Sequence, residues 1–444
     1  MQGKFVTGSI RGHILVMTGA GAIGLMAIFA GDLANIYFLS FAGDQEVIAA
    51  VGYASSILFF TTSIGIGLSI AATSLVSPAL GAGLRSRARR LSTNAHILSF
   101  VASSLAALFV WLAIAPMLAK FGATGRTLDL AARYLTILVP TMPMLALGMT
   151  SSAVLRSAGD PRRAMHITLS GAIVNTALDV LFILHLNWGI EGAAVASALA
   201  RIVVMATGVY GVIGIHRLST RPKFAKLLAD APAFAKIAVP AVLTNIATPA
   251  GNAYVTTAIA PFGDSAVAGW AVIGRIIPVA FGAIYALTGS VGPILGQNLG
   301  ARLPERMHGT VTQALIVMCA FTAIAWGFLA ILAEPLAGAF HSSGEARDLI
   351  VLFCRWLSPL FVFLGALFIA NATFNTLGQA HYSSMLNWGR ATIGTVPFVL
   401  LGAHFNGAAG VLAGNMLGGV VFGIAGIWLT YRYIDAISAR MSLG

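Results

Sequence analysis

Apolar stretches of about 20 residues or more recur from one end of the chain to the other, each long enough to cross about 30 Å of hydrocarbon. Twelve are read: 14–41, 47–80, 93–118, 131–155, 163–185, 190–214, 237–261, 266–297, 308–333, 348–374, 383–402 and 407–431. In a bilayer, backbone N–H and C=O groups find no water, so segments of this length must bond internally as helices. Hydrophobic residues make up 58% of the chain and charged residues 9%, against roughly 25% charged in soluble domains. The expected fold class is an all-α polytopic membrane protein with twelve transmembrane helices. The first stretch has no small-residue cleavage site and reads as a retained helix, not a signal peptide.

A net charge of +12 in a soluble chain would suggest nucleic acid, but the placement of the charges gives another reading. Lys4 and Arg11 precede helix 1, and Arg85, Arg87, Arg89 and Arg90 follow helix 2. Arg156, Arg162 and Arg163 follow helix 4; Arg217, Arg221, Lys223, Lys226 and Lys236 follow helix 6. Arg302 and Arg306 follow helix 8, while Arg432 and Arg440 close the chain. The alternate loops and helix ends hold only Lys120, Arg126, Arg133 and Arg347. By the positive-inside rule both termini are cytoplasmic, and an even number of spans fits. The expected location is a bacterial inner (cytoplasmic) membrane, with the lipid bilayer as partner, a monomeric state and no nucleic acid.

The chain also contains itself twice. Gly31 falls on Gly251, Gly43 on Gly263 and Asp44 on Asp264, each at the same offset, while Asp32 falls on Asn252. Pro116 pairs with Pro335, Pro140 with Pro359, Gly159 with Gly378, and Gly192-Ala193-Ala194 with Gly407-Ala408-Ala409. Six helices with both ends on one side give each half the same orientation, so the halves are parallel repeats about an axis normal to the membrane. The expected organisation is a six-helix lobe over 1–215, a basic cytoplasmic linker over 216–236 and a second six-helix lobe over 237–444. Gly410, Gly414 and Gly418 place small residues one turn apart on helix 12, a pattern that favours close helix packing.

Of 14 acidic residues, only Asp32 and Asp179 sit well inside a span, both in the first repeat. A charge at the centre of a membrane helix costs about 2.5–3.5 kcal/mol on insertion scales, so such residues are paired or functional. Asp32 lies about 15 Å from the outer end of helix 1, Asp179 about 9 Å from the outer end of helix 5, and Ser197 about 10 Å into helix 6. Asn175 is one turn from Asp179 on the same face. These four form a candidate proton or cation site, because a buried carboxylate can take a proton on one side and release it on the other. The same oxygen-rich set suits Na⁺, and the residues alone do not separate the two ions. Asn35, Tyr37 and Arg201 are candidate substrate-lining residues. Arg201 also offers a competing arrangement, a permanent ion pair with Asp32 or Asp179 that would abolish coupling. No Walker A motif, HExxH or nucleophile–base pair is found, so neither ATP-driven nor enzymatic chemistry is expected. No cofactor or resident metal is expected beyond Na⁺ at this site.

The twelve-span plan, the doubled six-helix repeat, the basic middle segment and the stretches RSAGDPRRAMHITLSGAIVNTALDVLFI (156–183) and GIEGAAVASALA (189–200) resemble the multidrug and toxic compound extrusion (MATE) transporters. Within that family the chain is most similar to the DinF-like branch, whose acidic site lies in the N-terminal lobe. The resemblance implies export of chemically diverse small organic compounds, often cationic or amphipathic, in exchange for H⁺ or Na⁺. Helix 1 departs from the family pattern: Ala20 stands where the second repeat has Pro240, so no proline bend is expected there. A flippase for lipid-linked saccharides of the same superfamily is the alternative, kept open by the intramembrane Arg201, Arg275, Arg355 and Arg390.

Overall fold

Long apolar runs with few charges leave the backbone no partner but itself, and the computed structural model, which describes residues 3–40 and 45–442, is helical there apart from short connections. Gly43, Asp44 and the outer end of the stretch 14–41 lie outside them. The spans are α1 Ile10–Ser40, α2 Gln45–Gly81, α3 Arg85–Leu112, α4 Gly125–Ser157, α5 Pro161–His185 and α6 Gly189–Ile215. They continue with α7 Phe224–Ile259, then α8, a pair Asp264–Ala280 and Gly282–Gly300 bent by 49°, followed by α9 Pro304–Ala339 and α10 Gly344–Thr376. The final helical stretch, Ala380–Met441, holds 62 residues, about 90 Å at 1.5 Å per residue and far too long for one crossing. It breaks at Asn406 and Gly407, whose backbone angles are not helical, giving α11 (380–405) and α12 (408–441). Twelve spans result among the described residues, as the hydropathy pattern predicts.

The repeat is visible in local geometry. Pro140 and Pro359 each sit in a short 3₁₀ turn, Val139–Thr141 and Ser358–Leu360, because proline has no N–H to continue the α ladder. The left-handed turn before the last helix of each half falls on Gly189 (φ 54°) and Gly407 (φ 53°). The structural equivalent of Gly407 is therefore Gly189, not Gly192 as the Gly-Ala-Ala match suggests, since the position that must be left-handed anchors the register.

Two compact units form, Ile23–Val242 and the remainder of the described chain. The division follows packing, not the repeat boundary, and falls inside α1 after Ala22 and inside α7 after Val242. In the first unit α2 packs on α3 and α4, and α4 on α5 and α6. In the second, α8 packs on α9 and α10, and α10 on α11 and α12. The cores are apolar, with Ile57, Leu118, Leu135 and Ile183 buried in one and Phe281, Phe353, Phe361 and Ile369 in the other. The stretch read as a linker is helical from Phe224 onward, and its irregular part is only 216–223.

Candidate cation site in the first lobe

Small residues bring α1 against α5. A side chain added at Gly24 would collide with the Thr168 hydroxyl, and Gly31 faces Ala172 and Thr176. This close approach lets Asn35, one turn beyond Gly31, reach across to α5. Its Nδ2 donates to Asp179 Oδ2 at 2.9 Å. Asn175, at i−4 on α5, donates to the same oxygen at 2.8 Å. Asp179 is fully buried, and its second oxygen, Oδ1, is buried with no hydrogen-bond partner. Directly after it the helix widens into a π turn, Val180–His185, a distortion that recurs at functional sites.

Asp32 lies within electrostatic reach of Asp179, and its side chain is exposed in the isolated chain. Ser197 on α6 shares a side-chain hydrogen bond with Tyr134 of α4. Tyr134 is buried and within electrostatic reach of Asp32, Asp179 and Arg201. The fold therefore brings Asn35 and Asn175 onto Asp179, and sets Tyr134, bonded to Ser197, within electrostatic reach of both acids; Tyr134 is a residue the sequence reading missed. Its signal was weak: a tyrosine in an apolar span whose hydroxyl needs a partner once buried. Tyr37 is exposed, its ring tilted against Phe38.

Arg201 engages neither acid. Its Nη1 donates to the Leu138 carbonyl at 3.0 Å and to Thr141 Oγ1 at 3.2 Å. The 3₁₀ turn at Pro140 interrupts the ladder just there, leaving a helix-end carbonyl that a cation satisfies. No ion pair of Asp32 or Asp179 occurs among the described residues. The site is thus two nearby carboxylates without a paired cation among the described residues, one exposed and one buried with an idle oxygen, the buried one held by two amides. Such a pair can bind a proton or small cation.

A doubled six-helix plan of apolar spans is a membrane-transporter architecture, and comparison with known proteins gives the family. The MatE family model matches residues 22–181 and 240–401; the chain belongs to the MATE family and is a multi-pass membrane transporter, not an enzyme. An FAD transporter of Shewanella oneidensis is 28% identical over 436 residues, spanning 96% of this chain and 95% of that protein. The multidrug export protein MepA of Staphylococcus aureus is 21% identical over 424 residues, 94% of this chain and 92% of that one. Among solved structures, the Vibrio cholerae MATE transporter VcmN superposes with a TM-score of 0.90 at 25% identity, covering 96% of each chain.

Proposed function

We propose that this chain exports small organic molecules by alternating access, driven by a cation that enters through Asp32 and is held on Asp179. The reading is carried by the buried, unpartnered Oδ1 of Asp179 beside an Oδ2 already taken by two amides. One free carboxylate oxygen is enough for a proton. A Na⁺ ion needs several oxygen ligands, whereas the two amides present N–H groups here, so H⁺ is favoured over Na⁺. One elementary charge crossing 100 mV supplies about 2.3 kcal/mol, corresponding to a gradient of roughly fiftyfold. A single coupling proton therefore supports useful export. Both termini are assigned to the cytoplasm by the loop charges, and the membrane to a bacterial inner membrane by composition.

The DinF-like assignment is supported by the placement of the acids in the second unit. Asp264, Glu305 and Glu345 lie in first helical turns, and Glu334 pairs with Arg347 and Arg355 near helix ends. The flippase alternative loses support because Arg201 is engaged by Leu138 and Arg355 by Glu334, which leaves fewer cations to line a cavity. A second substrate reading, a flavin nucleotide, is favoured by the identity to the FAD transporter over nearly the full length of both chains.

The test is reconstitution in proteoliposomes with an imposed proton or sodium gradient. Asp32→Asn and Asp179→Asn variants that still insert are expected to lose gradient-driven efflux by at least about tenfold, the ratio that about 1.4 kcal/mol of lost coupling gives. Undiminished efflux in both variants would remove the proposal.

A further inference from the structure

The second unit carries a buried charge that the cation site does not use. Arg390 lies ten residues into α11, about 15 Å along the helix, and is 8% exposed. Its Nη2 donates to Thr248 Oγ1 at 3.1 Å, and its Nε is buried with no partner. The six acids of this unit are committed or peripheral. Glu334 pairs with Arg347 and Arg355, Asp348 with Arg347 and Asp435 with His308. Asp264, Glu305 and Glu345 lie in the first turns of their helices. A guanidinium taken out of water without a counter-ion is costly, and such groups persist inside membranes where they meet a ligand or a water-filled path.

The surroundings select the kind of ligand. Tyr285 lies within electrostatic reach of Arg390. Its ring tilts against Phe368 with centroids 5.4 Å apart, and buried Phe361 backs both rings at 6.1 and 6.4 Å. Tyr285 and Phe368 are half-buried and so present partly open faces. Directly after Arg390 the first segment of α11, Ala380–Ala391, ends, and Thr395 Oγ1 donates to the Arg390 carbonyl at 2.8 Å. Broken helices of this kind line substrate sites in transporters. One turn earlier the Asn387 amide nitrogen is engaged, donating to Asn371 Oδ1 and the Ser383 carbonyl, which holds that face of α11 in place. The repeat sharpens the contrast. At the spacing that pairs Gly159 with Gly378, Arg390 falls on Gly171 of α5, the helix that carries Asp179. The same helix of the two repeats bears an acid in one and an unpaired cation in the other.

We propose that Arg390 and the rings of Tyr285 and Phe368 form an anion subsite in the second unit, which takes the oxyanion of a substrate that also carries an aromatic ring. This rests on the export reading and narrows its substrate class. Guanidinium matches phosphate or carboxylate oxygens in a planar fork, and the rings stack on the aromatic part.

Equilibrium binding to the detergent-solubilised full chain tests it, with riboflavin 5′-phosphate and neutral riboflavin as fluorescent probes sharing one ring. The wild type is expected to bind the phosphate ester about tenfold tighter, one charge-assisted contact expressed as a ratio. Arg390→Gln should bring the ratio close to one, Arg390→Lys should keep part of it, and Tyr285→Leu should weaken both probes. If Arg390→Gln does not fold, inorganic phosphate added to the wild type gives the same information, since it should displace the ester and not riboflavin. Equal binding of the two probes by the wild type, a preference that survives Arg390→Gln, or no competition by phosphate overturns the subsite. No gradient enters the measurement, so a failed subsite leaves proton-driven export standing, and failed coupling leaves the affinity ratio standing.

Discussion

Asp160 and Asp179 show how one side chain serves opposite ends. Asp160, which caps the start of α5, has both oxygens occupied: Oδ1 by the Arg163 backbone N–H at 3.1 Å, and Oδ2 by Arg163 Nε at 2.8 Å and His216 Nε2 at 2.9 Å. Burial alone lifts its carboxyl, but the hydrogen bonds from His216 and Arg163 and their charges hold it below its ordinary value of 3.8. A depressed carboxylate stabilises the fold above the unfolded value and loses that contribution as pH falls through the folded one. Asp160→Ala is therefore expected to lower stability by about 1–2 kcal/mol near pH 7, with the gap closing below pH 3.8. Melting temperatures of both proteins between pH 7 and pH 3 check this, and a gap that stays constant to pH 3 refutes the charge argument. Asp179, by contrast, keeps one oxygen idle and has no cation. Its burial was legible in the sequence because a midspan acid is too costly to be incidental. Asn35 was legible as polar, though its partner was not, since Asp179 lies 144 residues away. The partner of Arg201 was hidden for a related reason: a carbonyl freed by a proline turn on another helix leaves no mark in residue spacing.

Helices here meet through what their faces lack. Along α12, a Cβ at Gly410, Gly414 or Gly418 would run into the backbone of Gly402, Phe398 or Gly394 on α11. The two helices cross backbone to backbone, as the small residues at successive turns led one to expect. Gly419, one residue further on, has nothing within 4 Å of such a Cβ. Gly414→Val is expected to cost at least about 3 kcal/mol, because neither backbone can yield to an overpacked side chain. Gly419→Ala should stay within about 0.5 kcal/mol. Thermal unfolding in detergent, followed by loss of a monodisperse peak, separates them, and comparable losses would refute the crossing. The glycine ladder and the proline turns could be read from sequence because each has its own local chemistry. The 49° bend at Phe281 and the π turn after Asp179 could not, since both answer to neighbours brought in by the fold.

At the scale of the whole chain, twelve spans and their doubling follow from hydropathy and from ordered glycine and proline matches, which survive sequence drift because they fix backbone shape. How the middle segment is held does not follow from either. Residues 216–230 dock on the basic end of α3, within the unit Ile23–Val242. Arg85 donates to the His216 carbonyl at 2.9 Å, Arg89 to the Ser219 carbonyl at 2.8 Å, and the Thr220 N–H to Thr93 Oγ1 at 3.0 Å. Arg90 forms a forked pair with Asp230 at 3.1 and 3.3 Å, and Asn94 joins the same carboxylate at 2.8 Å. The arginines after α2 thus have a structural use beyond setting topology: they turn an exposed, lysine-rich connection into a clamped one. A protease needs the segment to open locally before it can cut, and the rate tracks the population of the open form. Arg90 and Asp230 are partly exposed, so their pair is worth only about 1 kcal/mol. Arg90→Ala should therefore speed limited trypsin cleavage at Lys223 and Lys226 by about fivefold. Because Arg90 is itself a trypsin site, the measurement follows the two fragments split within 216–230. Equal rates in the two proteins would mean that the Arg90–Asp230 pair does not hold the segment closed, leaving that to α7 and to the contacts of Arg85, Arg89 and Thr93.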